Sequence, residues 1–203
     1  MKIELHLHTT RYSPCARATP EQMMQRLVAA GYEAVYITEH DAVWRADELA
    51  ELGEKFPSLR IFGGVELTIG AHHLLVLGTS DPTYLDLHEE SAVLDKARAA
   101  GHLTILAHPF RWDGGAGMLE IGMRPDALEA RTNNHDEPAA QRARRVASEL
   151  GLKVVNSSDA HDVDALDKFW VETAAPITAA EDIRDVILNG AYELQPQPAA
   201  PKQ

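Results

Sequence analysis

Apolar, strand-like segments alternate with amphipathic helical segments over most of the chain, and this alternation constrains the fold more than any other feature of the sequence. Segments 34–38 and 103–107 are typical of buried strands, whereas segments 46–55 and 137–150 are typical of helices. Strands that alternate with helices are joined by right-handed crossovers and build a largely parallel sheet. We therefore predict an α/β fold in which about seven strands form a closed or nearly closed barrel.

An open, doubly wound sheet is the alternative architecture. No G-x-G-x-x-G or Walker A loop follows a predicted strand, which weakens the link to nucleotide-binding folds of that kind. The alternation continues to about residue 194, so we predict a single domain over residues 1–194. Residues 195–203 are rich in Pro, Ala and Gln, which predicts a disordered tail. Further strands are predicted at 2–6, 59–65, 74–77, 127–130, 152–156 and 169–173, and further helices at 20–30, 84–100 and from a capping box at 178–181 to Gly190.

The charge balance and the single cysteine limit the classes of partner. The formal net charge of −12 disfavours binding to long nucleic acids, which needs a basic field over many phosphates, but it is compatible with a small anionic substrate. No apolar run approaches the roughly 20 residues that span a bilayer, and the N-terminus lacks the pattern of a signal peptide. Cys15 has no second cysteine to pair with. We therefore expect a cytoplasmic protein that does not contact membranes, and the sequence does not indicate its oligomeric state.

Histidines and carboxylates gather where the predicted strands end. The carboxyl ends of barrel strands converge on one face, so residues that are far apart in sequence meet there. His6 and His8 are two residues apart on an extended segment, which points both rings to the same side. The residues at these strand ends are His6, His8, Glu39, His40, Asp41, Glu66, His108, Asp159 and His161.

A set of imidazoles and carboxylates of this kind is suited to zinc, manganese or iron rather than to calcium or magnesium. Each group has a structural explanation of its own, such as a polar turn, a helix cap or a pair with an arginine. Their joint placement at successive strand ends favours metal binding, because buried charges are costly unless they are paired or bound to a metal. The sequence therefore predicts a metal centre at the carboxyl face of the barrel.

These residues resemble the motifs of the PHP (polymerase and histidinol phosphatase) family. The resemblance runs from His6 to about His161 and rests on the order of its elements, since each element alone is unspecific. It implies a distorted seven-stranded (β/α) barrel of the TIM-like type, with a cluster of two or three divalent metal ions. The elements are His6-Leu7-His8, Thr38-Glu39-His40-Asp41, Gly64-Val65-Glu66, Ala107-His108-Pro109-Phe110 and Ser158-Asp159-Ala160-His161.

The resemblance also implies how the ligands divide among the metals. The first metal would be held by His6, His8, Glu66 and Asp159. Glu66 would bridge to a second metal, which His108 and a histidine after the third strand would also hold. That histidine is identified as His73, with His72 as the alternative. His40 and His161 would hold a third metal.

The chain departs from the family pattern after the first motif. Family members commonly place an Asp or His five or six residues beyond the second histidine, where this chain has Ser13 and Pro14, followed by Cys15. Cys15 or water would then complete the third site, or Cys15 would bind no metal. The second motif has Glu39 where Asp is usual, which is compatible with a role in orienting a ligand.

The predicted reaction is hydrolysis of a small phosphomonoester or a nucleotide by water that metal ions activate. Asp41, Glu39 or a histidine that binds no metal, such as His72, would protonate the leaving oxygen, and the sequence does not distinguish them. Arg111, which follows the third motif, is the preferred contact for the phosphate, with Arg11 and Arg17 as alternatives. Each tryptophan is first expected to be a packing residue; the alternative is that Trp44 or Trp112, which lie next to the motifs, stacks against a ring of the substrate.

Two other functions remain as alternatives. An amidohydrolase would use the same kind of activated water on a C–N bond, but such enzymes usually add a lysine at a strand end, which this chain lacks. A non-catalytic metal-binding module is the other alternative.

Overall fold

Nine strands form one sheet in this computed structural model, which describes residues 1–196. The strands are β1 (Lys2–Glu4), β2 (Ala34–Ile37), β3 (Arg60–Ile69), β4 (His72–Leu77), β5 (Leu103–Ala107), β6 (Ala127–Arg131), β7 (Lys153–Asn156), β8 (Trp170–Thr173) and β9 (Tyr192–Gln195). The helices are α1 (Pro20–Ala29), α2 (Ala46–Lys55), α3 (Glu90–Ala100), α4 (Gly117–Glu120), α5 (Glu137–Leu150) and α6 (Asp182–Asn189).

The sheet curls into a nearly closed barrel. Its strand order is β7-β6-β5-β4-β3-β2-β1-β8-β9, so β7 and β9 are the two edges. These edges are linked by side chains: the Tyr192 hydroxyl donates to Val154 O at 2.7 Å, and Asn156 Nδ2 donates to Gln195 O at 3.2 Å. The predicted α/β barrel is therefore confirmed, and the open doubly wound sheet is not observed in the described residues.

The sheet has more strands and fewer parallel pairs than the sequence suggested. Strand β4 is antiparallel to both β3 and β5, and β8 is antiparallel to both β1 and β9. The reversal at β4 has a local cause. Gly70, whose φ is +60°, and Ala71 form the whole connection between β3 and β4, and so short a loop can join only antiparallel strands.

The C-terminal boundary also differs from the prediction. Gln195, expected to begin a disordered tail, is the last residue of β9 and pairs with Trp170 of β8. Residues 197–203, the rest of that prediction, lie outside the described residues.

Two predicted helices begin later than expected. Residues Pro82–Asp86 form a separate 3₁₀ helix, and the chain is extended at Leu87 before α3 begins. The last helix begins at Asp182 because the Asp182 carboxylate accepts hydrogen bonds from the backbone of Thr178 and Ala179, both at 2.8 Å, which holds those residues in a turn. None of the helices within residues 1–196 is long and apolar enough to cross a membrane.

Apolar side chains fill the barrel away from its functional edge. Ile3, Leu5, Tyr36, Leu75 and Ile105 are fully buried in one cluster. The polar residues that follow the parallel strands lie at the opposite end, which we call the upper edge. Strand β4 runs the other way, so its amino end also lies at the upper edge.

We expect Gly63→Ala to destabilise the barrel. A Cβ at this β3 position would lie 2.5 Å from Thr79 O and 2.7 Å from Ser80 Oγ, where backbone must move to make room. The free energy of unfolding should fall by about 1–3 kcal/mol, as for overpacked cores. Urea denaturation measures this change.

Gly53→Ala is the matched control. Gly53 lies inside α2, and no atom lies within 4 Å of the position its Cβ would occupy. This substitution should raise the stability by up to about 1 kcal/mol, because alanine favours helix. Equal effects at the two positions would contradict the close packing of β3 against the segment after β4.

Candidate metal centre

Six strands bring the candidate residues to the upper edge. The segments that extend β1 and β2 stay paired with their neighbours through isolated bridges, Leu7 with Ala160 and His40 with Glu66. His73 reaches the same edge from the amino end of β4 because that strand runs in the opposite direction. The residues arrive as follows: His6 and His8 beyond β1, His40 beyond β2, Glu66 in β3, His73 in β4, His108 beyond β5, and Asp159 and His161 beyond β7.

His6, His8, Glu66 and Asp159 meet in one buried cluster. The Nε2 atoms of His6 and His8 lie 3.0 Å apart. Glu66 Oε2 lies 3.2 Å from the first nitrogen and 3.1 Å from the second. Asp159 Oδ1 lies 3.4 Å and 3.3 Å from the same two atoms. Leu7, between the two histidines, points away into an apolar cluster, as strand alternation requires.

The ligand atoms of His6, His8 and Glu66 lie close enough together to hold a divalent metal ion, and Asp159 lies beside both imidazoles. Glu66 Oε2 and Asp159 Oδ1 are buried, and neither accepts a hydrogen bond from the described residues. An ion with tetrahedral ligands at about 2.0–2.2 Å keeps neighbouring donor atoms roughly 3.3–3.6 Å apart. The distances of 3.0–3.4 Å between the ring nitrogens and their neighbours are close to that spacing.

Glu66 faces a second group of histidines with its other oxygen. Glu66 Oε1 lies 2.7 Å from His73 Nδ1 and 3.2 Å from His108 Nε2. His72 points to the opposite face of β4, where its Nε2 lies 3.2 Å from Glu90 Oε1. The structure therefore brings His73, and not His72, to the cluster, and Glu66 stands between the two groups.

His40 and His161 lie on the open side of the cluster. Their Nε2 atoms are 3.4 Å apart, and His40 Nδ1 is 2.9 Å from Glu66 Oε2. Ligand atoms of His8, His40 and His161 lie within 4.8 Å of one another. Cys15 is exposed and belongs to none of the groups of potential ligands in the described residues. This third group consists of imidazoles only, and it shares His8 with the first.

A buried glutamate that sequence reasoning missed orients His6. His6 Nδ1 donates to Glu129 Oε1 at 2.9 Å, and the other oxygen of Glu129 accepts the backbone N–H of His108 at 2.8 Å. The first contact keeps the proton on Nδ1 and leaves His6 Nε2 free for a metal. The available signal was an acidic residue inside the apolar strand predicted at 127–130, since a buried charge needs a partner.

Ser13 and Glu39 orient His8 in a similar way. His8 Nδ1 lies 3.3 Å from Ser13 Oγ, which in turn donates to Glu39 Oε2 at 2.5 Å. Glu39 also accepts from Thr9 N at 3.0 Å, from Thr9 Oγ1 at 2.5 Å and from Trp44 Nε1 at 3.0 Å. Both oxygens of Glu39 already accept hydrogen bonds, and the side chain is fully buried. These contacts suit a residue that orients a metal ligand better than one that donates a proton to a substrate.

The charges of the cluster shift its pKa values strongly. Burial lowers the pKa of His6, but Asp159, Glu66 and Glu129 outweigh burial and hold that pKa well above its usual value. Burial raises the pKa of Glu66 and of Asp159, but His6 and its neighbours hold both well below their usual range. Burial, with His8 nearby, lowers the pKa of His161 to about 4. The cluster therefore carries ionised carboxylates that favour a cation among them.

The backbone is strained at three of the candidate residues. Asp41, His108 and Asp159 have φ values of +45°, +29° and +50°, a region that side chains other than glycine rarely adopt. Each such residue costs about 1–3 kcal/mol, and strain of this kind concentrates at functional sites. In these conformations the side chains of His108 and Asp159 lie in the cluster, whereas that of Asp41 lies beside it.

The other predicted residues lie around the cluster. Asp41 is exposed and its Oδ1 accepts the backbone N–H of Thr68 at 2.8 Å. Arg11 forms an ion pair with Glu48, so its charge is already compensated. Arg111 lies 5.0 Å from the ring centroid of Trp112 and has no ion pair in the described part of the chain. The guanidinium of Arg17 likewise has no partner within residues 1–196.

We expect Ser13→Ala to weaken metal binding. The change removes the hydroxyl that connects His8 to Glu39, so His8 loses the partner that sets its tautomer. Loss of such a partner typically costs about 10–100-fold in affinity. Competition with a fluorescent chelator measures the apparent Kd.

Ser58→Ala is the control, because Ser58 is exposed and far from the upper edge in the turn before β3. If Ser13→Ala bound metal as tightly as the control, the orienting role of Ser13 and Glu39 would be wrong.

Comparisons with known proteins agree with the fold and the motifs. The model of the PHP domain family matches residues 4–111, and a model described as PHP-associated matches residues 137–192. The chain is 27% identical over 232 residues to the DNA polymerase/3'-5' exonuclease PolX of Bacillus subtilis (strain 168). That alignment covers 92% of this chain but 40% of the relative, so the chain spans less than half the length of the curated protein it matches.

Solved structures share the fold at low sequence identity. A two-domain protein from Bacteroides vulgatus, containing a predicted PHP-like metal-dependent phosphoesterase, superposes with a TM-score of 0.73 at 18% identity; the match covers 96% of this chain and 64% of that one. An amidohydrolase from Chromobacterium violaceum, with bound sulfate and no metal, gives a TM-score of 0.65 at 17% identity over 95% of this chain and 98% of the other.

Proposed function

The chain belongs to the PHP domain family, and from that premise we propose that it is a metal-dependent hydrolase that cleaves a phosphate ester of a small phosphomonoester or a nucleotide. One observation carries this proposal. The two oxygens of buried Glu66 face different imidazoles, and Oε2 accepts no hydrogen bond of suitable geometry within the described residues, although the rings of His6, His8 and His40 approach it. Such a carboxylate is suited to bridge two cations, which is the arrangement that clamps a phosphoryl group.

The proposal includes two or three divalent metal ions, with zinc, manganese or iron preferred by the imidazole-rich donor set. When bound, such ions lower the pKa of water and offset the negative charge that develops on a phosphoryl group. His6, His8 and Glu66, with Asp159 beside both imidazoles, are the proposed ligands of the first ion. His40 and His161 would hold a third ion more weakly, because this pair offers no carboxylate of its own.

Arg111 and Asp41 have the remaining roles in this proposal. The Arg111 guanidinium, which has no ion pair in the described residues, would bind phosphate oxygens outside the metal cluster. Water adds to phosphorus as the bond to the leaving oxygen breaks, and that oxygen takes a proton, giving an alcohol and inorganic phosphate. Asp41 is the proposed proton donor because its Oδ2 is unpartnered among the described residues, whereas both oxygens of Glu39 are occupied.

The named activity of the PolX relative suggests a variant in which the substrate is the end of a nucleic acid. That name belongs to a protein of which this chain spans 40%. The net charge of −12 disfavours a long nucleic-acid partner, so we keep the small substrate as the proposal. A cytoplasmic location is part of the same proposal.

An amidohydrolase is less well supported. Metal amidohydrolases usually add a lysine at a strand end, whereas Lys2 and Lys153, the lysines in strands of the described residues, begin β1 and β7 at the lower edge. The Nζ atom of Lys153 lies beside Gly190, away from the cluster. Activity on p-nitrophenyl phosphate but not on amides would separate the two reactions.

We expect the double variant His6→Ala/His8→Ala to lose metal and activity together. Elemental analysis of the native protein should find at least two metal ions per chain, and the variant should lose at least one. Hydrolysis of p-nitrophenyl phosphate with added Mn²⁺, Zn²⁺ or Fe²⁺ should fall at least about a hundredfold, since the ions supply most of the stabilisation of the transition state.

His88→Ala serves as the control because His88 is exposed and outside the cluster. Unchanged phosphatase activity in the double variant would favour a non-catalytic metal-binding module. A native protein without affinity for divalent metals would overturn the proposal as a whole.

We expect Arg111→Ala to raise KM for phosphate substrates. A charge-assisted pair of hydrogen bonds is worth about 1.5–3 kcal/mol, so kcat/KM should fall roughly 10–100-fold. Arg11→Ala should have little effect, because Glu48 already pairs with Arg11. If the two variants behaved alike in steady-state kinetics, Arg111 would have no specific role at the phosphate.

A further inference from the structure

The indole of Trp112 stands beside the metal cluster with part of its surface exposed. Its ring centroid lies 5.3 Å from that of His73 and 5.1 Å from that of His108, at interplanar angles of 73° and 54°. Both of these histidines contact Glu66. The steep angles make the indole a side wall of the cluster rather than a cover, and 37% of the residue remains exposed.

Contacts with the loop after β5 and with the turn between β3 and β4 hold the Trp112 indole in place. Trp112 Nε1 donates to Ala71 O at 2.6 Å, which ties the loop after β5 to the turn between β3 and β4. The loop folds closely around the ring, since a Cβ at Gly115 would lie 3.3 Å from Trp112 Nε1. An exposed aromatic ring that the backbone fixes beside candidate ligands presents a surface that is preorganised for binding.

The other two tryptophans do not offer such a surface. Trp44 is only 4% exposed, and its Nε1 donates to Glu39. Trp170 packs against Tyr32 and under Lys2, at β8. Of the two tryptophans that the sequence placed near the motifs, the structure leaves only Trp112 accessible at the cluster.

The neighbouring Arg111 side chain indicates what kind of molecule would bind beside Trp112. The Arg111 guanidinium lies over one face of the Trp112 ring, 5.0 Å from its centroid, which leaves the other face for a ligand, and it has no carboxylate partner in residues 1–196. A guanidinium suits phosphate oxygens, whereas an indole face suits another planar ring, and stacking of a base on an aromatic side chain tolerates any base. A nucleoside monophosphate combines these two chemistries in one small molecule.

We propose that Trp112 forms a subsite that stacks against the base of a nucleoside monophosphate while its phosphate lies at the metal cluster. This inference rests on the proposed function and narrows its substrate class. Trp112 then sets specificity by favouring leaving groups that carry a planar ring over aliphatic alcohols.

The test compares AMP with glycerol 3-phosphate as substrates of the metal-loaded protein. Trp112→Ala removes the stacking surface and should lower the kcat/KM ratio of AMP to glycerol 3-phosphate about tenfold, the usual effect of losing one stacked base. Trp112→Phe keeps a planar ring and should hold the ratio within about threefold of the native value. The ratio is informative because any disturbance of His73 and His108 affects both substrates equally.

Ile121→Ala is the matched control, since Ile121 is also an exposed apolar residue, 66% accessible, and lies beyond α4. It should leave the ratio unchanged. If Trp112→Ala does not fold, Trp112→Leu takes its place, because leucine keeps apolar bulk without a planar ring. If the kcat/KM ratio of AMP to glycerol 3-phosphate is the same in Trp112→Ala as in the native protein, the proposal of a base-stacking subsite is wrong.

Binding of adenosine, followed by calorimetry, separates this inference from the proposed function. The Kd for adenosine should rise about tenfold in Trp112→Ala and little in Trp112→Phe. A native protein that binds adenosine through Trp112 but hydrolyses no phosphate would retain the subsite and lose the phosphatase proposal. A native protein that hydrolyses both substrates equally well and does not bind adenosine would retain the phosphatase and overturn the subsite.

Discussion

Glu66 and Asp159 are buried at the upper edge of the barrel, and the cost of burying their charge governs what surrounds them. Imidazoles approach both carboxylates, yet Glu66 Oε2 and Asp159 Oδ1 accept no hydrogen bond from the described residues. Proteins rarely leave such oxygens without a partner, because each one costs more than a hydrogen bond returns. A divalent cation would resolve the conflict, since it would compensate both charges at once and take unprotonated ring nitrogens as further ligands.

The barrel architecture brings these carboxylates and imidazoles close together. Parallel strands deliver their ends to one edge, and the reversal of β4 at Gly70 adds His73 to that edge from the opposite direction. Positive φ values at His108 and Asp159 turn these residues inward at a local cost in backbone energy. Below the upper edge, the apolar cluster around Leu5 and Ile105 packs the strands together, and its burial offsets the cost of the strained backbone.

Hydrogen bonds to the Nδ1 atoms of His6 and His8 determine which ring nitrogen of each histidine faces the cluster. Glu129 accepts from His6 Nδ1, and Ser13 connects His8 Nδ1 to Glu39, so each histidine of the first motif keeps its Nε2 for the cluster. Ser13 therefore serves as an orienting group for His8. The third group contains imidazoles alone, whereas Glu66 supplies a carboxylate to the other two groups.

Much of this arrangement could be predicted from the sequence, because local patterns carry it. The period of apolar residues predicted the bounds of α2, β5 and α5 correctly, and the motifs identified the residues that meet at the upper edge. The antiparallel pair of β3 and β4 was missed although its two-residue loop is local, and the pair of β8 and β9 was missed because it joins segments that the last helix separates. The 3₁₀ helix at Pro82–Asp86 was read as part of a longer helix, because its composition hardly differs from that of a first helical turn.

The sequence by itself determined which chemical groups are present and at which strand ends they stand, since strand alternation and motif order are properties of neighbouring residues. Only the tertiary structure decided that His73 rather than His72 faces Glu66, because that depends on the direction and register of β4 in the sheet. It also decided that Glu129 supports His6 and that Trp112 stands exposed while Trp44 is covered. Those distinctions are differences of distance and burial between segments, and no pattern along a single chain encodes them.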